Sequence, residues 1–584
     1  MYANVVVLTY GPPDIPTYSY KVPENLEKEV KVGQLVLVPF GKRTPMGVVV
    51  SLSKKEIKDI GEIRNIEGIL IQQPMLLPYQ IELLKWMAFY YRAPMVNCLE
   101  VMLPTKVLNA KRLMTNAKTI SQSISRSSQV SSQTLVLTSS INRLPETLAK
   151  YPHAKNYAVY HNELKPWQRF NTWQKILSGN VDYIFGSRSA IFCPCRNLKE
   201  IIIYDEHDQG YHEERSPYYN AFSVAEKIQG LTGARIKIVD SSPRITTYFT
   251  HKVSPLARSH IVKAKIVNML DERKVDNKTA ISQILEDYIR LGYKRSKKIL
   301  LFLNKKTESG HVYCRNCKYS EFAATAPEVC PNCRSFEIWF NSVNVNSLAN
   351  LVRKIVPQAK VTIIAEGYKL LFEPEPQSRR PTTNNQLPTI DIATASVFYK
   401  LLLHKYDLVA HIQTDSLANI TDYTSAEKLF AQISSLKKIT RGLLLLQTYN
   451  PQDPTIISAS LGNYQKFFQD QLAERRALSY PPFSLLVKLT LRGKKEESIE
   501  QKSQKLYDLL SSQLPNYPTT QLPIILGPYK PQFTGKTAKY NIILKLPVKN
   551  YSLLQREMAR SSISPQLSQV PGVWQVEVET ESII

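Results

Sequence analysis

Cysteine is scarce in this chain of 584 residues: there are seven, and four of them fall in two C-x-x-C pairs. So few thiols argue against a disulfide framework and for metal-binding thiolates in a reducing compartment. No run of about 18 apolar residues occurs, so no membrane span is expected. The opening MYANVVVLTYGPPD carries no basic segment ahead of its apolar run, so no signal peptide is expected either. A cytoplasmic location follows as the expectation. Acidic residues are also short, 49 against 75 Lys and Arg, which leaves a formal charge of +26. An excess of that size attracts polyanions over a screening distance of about 8 to 10 Å. Nucleic acid, rather than a membrane surface, is the expected partner class. Finally, no G-x-x-x-x-G-K-[ST] phosphate loop is present anywhere.

What is present is a soluble globular composition, 43% hydrophobic and 21% charged, in a chain too long for one core. Residues 1–52 alternate apolar and polar positions around turns (NVVVLTY, GPPD, TYSYKV, QLVLVPFGKRTPMGVVVSL), which predicts a small β-rich domain. PYQIELLKWMAFYYRAP has helical spacing and closes that domain before Pro94, giving a unit over 1–104. Residues 105–133 are rich in Ser and Gln, carry Lys106, Lys111, Arg112, Lys118 and Arg126, and contain no acidic residue; they read as a basic linker. TLVLTSS, NYAVYH, VDYIFGS, EIIIYDEHD and IKIVDSSP then alternate with helical segments, as buried parallel strands do, over 134–262. The pattern returns in KKILLFLNKK, KVTIIAEG, TIDIATA, DLVAHIQTD and GLLLLQTYN over 263–450. A Pro-rich loop, EPEPQSRRPTTNNQLP, lies within that second lobe. Residues 451–584 mix strands (LLVKLTL, NIILKLPV, WQVEVE) with an amphipathic helix (IEQKSQKLYDLLSSQL), an α+β pattern. The fold class expected is α/β multidomain.

Cys314, Cys317, Cys330 and Cys333 place two thiolate pairs on short turns twelve residues apart, inside a segment read as an insertion over 309–338. Four soft ligands satisfy one tetrahedral Zn²⁺ at about 2.3 Å each. Reduced free thiols are the other reading. Cys193, Cys195 and Cys98 read as small buried hydrophobes.

The segment GSRSAIFCPCRNLKEIIIYDEHDQGY, residues 186–211, resembles the G-x-R-S-A-(I/L)-F, N-L and D-E-E-H-D blocks of the PriA family of replication restart helicases. The resemblance continues in order through VPFGKR, ELKPWQRFNTWQKILSG, the two cysteine pairs, QTYNP, LAERRALSYPPFSLL, ILGPYKP and VEVETESII. It implies an N-terminal domain for the 3′ end of a nascent strand, two RecA-like helicase lobes with a zinc-binding insertion, and a C-terminal domain, acting at stalled forks and D-loops. The family's second zinc site is missing here, so one ion is expected.

Departures from the family pattern bear on ATP. The winged helix and phosphate loop give way to the Ser-rich linker. D-E-E-H becomes Tyr204-Asp205-Glu206-His207, and a neutral phenol is a poor substitute for the carboxylate that holds Mg²⁺. G-S-A-T-P becomes Val239-Asp240-Ser241-Ser242-Pro243, and the arginine-bearing Q-V-A-G-R-A-G-R is replaced around Gln432 to Arg441. The expectation drawn is a catalytically defunct relative that is not an enzyme, has degenerate lobes and needs no ATP. An active 3′-5′ helicase with divergent motifs and a zinc-bearing protein-interaction scaffold are the alternatives. For DNA, the resemblance points to Tyr18 and Ser19, standing in the family's F-D-Y, and to Gly41, Lys42, Arg43, Arg64 and Arg188. Read structurally, the same residues are a packed strand tyrosine, a turn glycine and solvated charges. Forked, D-loop or primed DNA, single-stranded DNA-binding protein and replicative helicase loading factors are the expected partners.

Overall fold

The structure, a computed structural model, describes residues 1–9, 16–55, 63–104, 131–251, 262–304, 310–317, 319–323, 326–341, 343–364, 389–400, 405–418, 420, 422–513, 523–531 and 537–584. The GPPD turn, nearly all of the basic linker and the Pro-rich loop of the second lobe lie outside the described residues. Two compact units form: Met1–Val253 together with Arg475–Ile584, and Ser254–Glu474. Among the described residues no helix is long and apolar enough to cross a membrane.

The first unit begins with five antiparallel strands in the order Tyr18–Lys21, Tyr2–Val7, Met46–Ser53, Leu35–Leu37 and Gly68–Ile69. Its valine runs are explained by burial on both faces: Val5, Val36 and Val49 enter one core, while Val6, Leu35 and Val48 enter a larger one. Helix Pro78–Tyr90 starts with Pro at its first turn, where a missing N–H costs nothing, and the Gln80 Oε1 accepts from the Leu77 N–H at 2.9 Å. The helix ends before Pro94 as expected, and Pro94 then precedes a second helix, Met95–Met102, that the sequence pattern did not indicate.

A five-stranded parallel sheet follows, in the order Arg235–Val239, Leu198–Tyr204, Gln133–Leu137, Tyr183–Gly186 and Tyr157–Tyr160. Its first strand begins at Gln133, inside the span read as linker, and Gln133 is buried with its amide donating to the Ile176 carbonyl. The C-terminal part of the unit is a four-stranded antiparallel sheet, Ile524–Tyr529, Ala538–Pro547, Ser484–Gly493 and Gln575–Val578, backed by helix Glu496–Gln513. These segments share one continuous core. A buried ionic node joins them: Arg556 pairs with both Glu226 and Glu579, and the Tyr90 hydroxyl donates to Glu579 at 2.9 Å. Buried charges are tolerated when paired in this way.

The second unit is built on a six-stranded parallel sheet in the order Lys263–Asn268, Thr440–Thr448, Tyr406–His411, Ile299–Phe302, Thr389–Ala393 and Lys360–Ile364. The central strand Ile299–Phe302 is buried at every position. Lys263–Asn268 sits at the edge with lysines alternating along it, a pattern that discourages further pairing. An antiparallel ribbon of Ser320–Ala323, Gly310–Cys314 and Ile338–Asn341 carries the cysteine pairs.

Candidate nucleic-acid interface and metal centre

Phe40 and Arg43 exchange backbone hydrogen bonds at 2.8 and 3.1 Å and close a two-residue turn. Gly41 sits there at φ +61°, where a side chain would be strained although the space is open. Gly41, Lys42 and Arg43 are all exposed. Arg64, also exposed, comes alongside on the backbone bridge between Lys21 and Asn65, and its guanidinium donates to the Gly41 carbonyl at 3.2 Å. Three cations therefore surround one protruding turn.

Tyr18 lies beneath that turn, its ring 4.9 Å from Phe40 and edge-on to it. Its hydroxyl is buried and has no hydrogen-bond partner among the described residues. Ser19 is its neighbour in sequence but projects from the other face of the strand, because successive side chains alternate. There it donates to Asn4 Oδ1 at 2.8 Å, and Asn4 donates on to Ser51 at 3.0 Å. The structure thus groups Tyr18, Gly41, Lys42, Arg43 and Arg64, and sets Ser19 apart.

Arg188 opens the short helix after Tyr183–Gly186 and is engaged within the protein. Its guanidinium donates to the Gly210 carbonyl at 3.2 Å and to the His212 carbonyl, and pairs with Glu213 at 2.8 Å. The loop after strand Leu198–Tyr204 is thereby clamped across the strand ends. Gly210 packs so closely on Ser139 that an added Cβ would come within 2.3 Å of its carbonyl oxygen.

The same strand end presents Tyr204 to His207. The Tyr204 hydroxyl stands 3.1 Å from that of Tyr151. Asp205, at φ +49°, pairs with Arg143. Glu206 is buried and accepts from Thr247 at 2.9 Å and from the Arg244 backbone at 3.2 Å, with the Arg244 guanidinium at 3.4 Å. Burial raises its carboxyl to about 7, against the opposing pull of Arg244. His207 Nδ1 lies 2.7 Å from Asp240, so the strand ends of Leu198–Tyr204 and Arg235–Val239 are joined. Asp205, His207 and Asp240 hold ligand atoms within 4.8 Å of one another. Ligands of open parallel sheets bind at strand ends like these.

Sequence spacing brought the four cysteines to one point in the second unit. Cys314 ends strand Gly310–Cys314, and the four sulfurs lie within 4.8 Å of one another. Cys314 to Cys333 and Cys317 to Cys330 are each 3.6 Å apart. Four bonds of about 2.3 Å in a tetrahedron require sulfurs about 3.8 Å apart, whereas a disulfide needs about 2.05 Å. The set can hold one metal ion such as zinc. The Asn332 amide donates to Cys317 Sγ at 3.4 Å, and that hydrogen bond leads the causes that lower this thiol to about 7. Asn316 donates likewise to Cys333 Sγ at 3.6 Å. These amides are the outer-sphere partners thiolate ligands require, and the cysteine spacing alone did not reveal them. Arg273 ties the ribbon to the lobe, its guanidinium 4.2 Å from the Trp339 ring and 5.6 Å from the Tyr449 ring. Cys98, Cys193 and Cys195 are buried in the first unit.

Comparison with known proteins agrees with this layout. Residues 10–104 match the model of a 3′ DNA-binding domain, the PriA 3′BD. The replication restart protein PriA of Synechocystis is 24% identical over 471 residues, 71% of this chain and 55% of that protein. PriA of Bacillus subtilis is 25% identical over 424 residues, 63% of this chain and 51% of that protein. PriA of Treponema pallidum is 23% identical over 641 aligned positions, 94% of this chain and 95% of that protein. The chain spans about half the length of the first two relatives.

The Treponema match corrects one expectation, that the chain is not an enzyme. The alignment runs through both α/β lobes, the part of the chain taken as defunct, within a family of ATP-dependent DNA helicases. The altered motif residues therefore do not show that activity has been lost; Asp205 and Glu206 stand at the end of strand Leu198–Tyr204. With residues 10–104 matching a 3′ DNA-binding domain and PriA similarity through nearly its whole length, the chain is similar to the PriA family of replication restart proteins.

Proposed function

We propose that this chain acts in replication restart by recognising a free 3′ end at forked, D-loop or primed DNA. The observation that carries this reading is the exposed turn of Gly41, Lys42 and Arg43 with Arg64, lying within the segment that matches a 3′ DNA-binding domain. The three cations meet phosphates, and the backbone at Gly41 allows close approach of a sugar or phosphate. Tyr18 supports the turn from beneath through Phe40. Ser19 and Arg188 are left with positioning roles, as their side chains are engaged within the protein. The four cysteines hold one structural Zn²⁺. In this reading, single-stranded DNA-binding protein and the loading factors of the replicative helicase are the protein partners.

The test is fluorescence anisotropy on forked DNA whose nascent strand ends in a 3′ hydroxyl or is blocked there. The unblocked fork should bind more tightly, and Lys42→Glu with Arg43→Glu should abolish the difference. Equal affinity for both forks in the unaltered protein sinks the proposal.

A further inference from the structure

The parallel sheet of the first unit has two unequal faces. Ile184, Ile201 and Ile203 face a core that takes in helices Pro166–Leu177 and Ala221–Thr232. On the opposite face the register lays two rows straight across five strands. One row is Arg235, Glu200, Thr134, Tyr183 and Tyr157; the next is Lys237, Ile202, Val136, Phe185 and Val159.

Among the described residues the turn Ile141–Arg143, the short helix Leu144–Ala149 and the turn after it pack on this face. Leu144, Leu148 and Tyr151 pack on Val136, Phe185 and Ile202 and leave the rest open. Tyr157 is 42% exposed. Arg235, Lys237 and Lys155 are exposed, and Tyr183 is half-buried. Parallel sheets ordinarily bury both faces, so a face of this composition left partly uncovered by the described residues requires a reason.

Its chemistry is aromatic and basic. The Tyr151 ring lies 5.3 Å from Phe185 and 5.8 Å from Tyr183, and His153 lies 5.7 Å from Tyr183. The Lys150 ammonium sits 4.8 Å from the Tyr204 ring, although it also pairs with Glu146 at 3.0 Å. One carboxylate, Glu200, stands beside Arg235 in the first row. Strands about 4.8 Å apart put Tyr157 about 19 Å from Arg235, so the tyrosines occupy one edge and the two exposed cations the other. A globular protein partner would find little continuous apolar surface here. A single nucleic-acid strand needs what the face offers, flat rings for stacking at one end and cations for phosphates at the other.

We infer that the open face of this sheet is a second contact for single-stranded nucleic acid, with bases stacked on Tyr157 and Tyr183 and phosphates paired with Arg235 and Lys237. It is separate from the 3′-end turn and does not depend on it. Stacking of this kind tolerates any base, so the contact reads no sequence.

The test uses the full chain and an oligothymidylate carrying iodouracil, photo-crosslinked and mapped by mass spectrometry. Crosslinks are expected on the peptides that carry Tyr157 and Tyr183. Tyr157→Ala, and separately Arg235→Glu with Lys237→Glu, should each weaken oligothymidylate binding about five- to tenfold, since these exposed side chains carry stacking and phosphate pairing. Thermal midpoints should not move. Crosslinks confined to other peptides, or unchanged affinity in both variants, overturn the inference, as does a protein partner held at this face with no effect on oligonucleotide binding. The Lys42→Glu, Arg43→Glu variant separates the two proposals: it should lose 3′-end preference and keep these crosslinks. Crosslinks lost with 3′-end preference kept would sink this inference alone.

Discussion

Glu206 has little water around it, and the Arg244 guanidinium at 3.4 Å does not fully compensate, so its carboxyl titrates near 7 instead of near 4.5. The folded state then holds a proton between those values that the unfolded chain has released. The stability contributed by the neutral carboxyl is complete below about 4.5 and is lost as the pH rises through about 7, at roughly 1.4 kcal/mol for each tenfold difference in proton affinity between the folded and unfolded chain. Glu206→Gln, which keeps the shape and cannot ionise, should therefore gain on the unaltered protein between pH 5 and pH 8, by a few kcal/mol at most. Thermal melts of both proteins across that range check it; a difference that does not change with pH would refute the assignment. That Glu206 carries this role was not legible in its motif. Its partners Arg244 and Thr247 are some forty residues away in sequence, and only the fold brings them together. Ser19 shows the same limit: the motif placed it beside Tyr18, while strand alternation turns it towards Asn4.

Elements were read more successfully than residues, because period-2 and buried-run patterns are local. The strands of both lobes fall on the apolar runs EIIIYDEHD, ILLF and LLLLQT, whose burial leaves few other conformations open. Lys263–Asn268 escaped notice because an edge strand keeps lysines on its open side. Met95–Met102 escaped because Pro94 reads equally as an end or a beginning. The metal-bearing ribbon lies between these cases. Its cysteine spacing is diagnostic, but its three strands are short and hold little core of their own. Such ribbons depend on the ion for folding. Chelation should therefore raise amide hydrogen exchange across 310–341 and leave the strands of the first unit unchanged. Cys314→Ser should give the same exchange pattern and lower the bound metal measured by mass spectrometry. Exchange unaltered after the metal is stripped would show that the ribbon stands without it.

At the scale of the whole molecule the net charge of +26 governs how any DNA measurement must be read. A chain so basic binds any polyanion at low salt, so raw affinity says little about the 3′-end turn or the open sheet face. The informative quantity is the slope of log affinity against log salt, which falls by about 0.7 per phosphate contacted on a single strand and about 0.9 on a duplex. Lys42→Ala with Arg43→Ala should make that slope shallower by about two on forked DNA, one for each lost phosphate contact. Tyr157→Ala should weaken oligothymidylate binding with the slope unchanged, because stacking releases no counterions. If Tyr157→Ala also makes the slope shallower, the sheet-face contact is ionic attraction and not stacking, and if Lys42→Ala with Arg43→Ala leaves the slope unchanged, the turn does not meet phosphates in the way assigned to it.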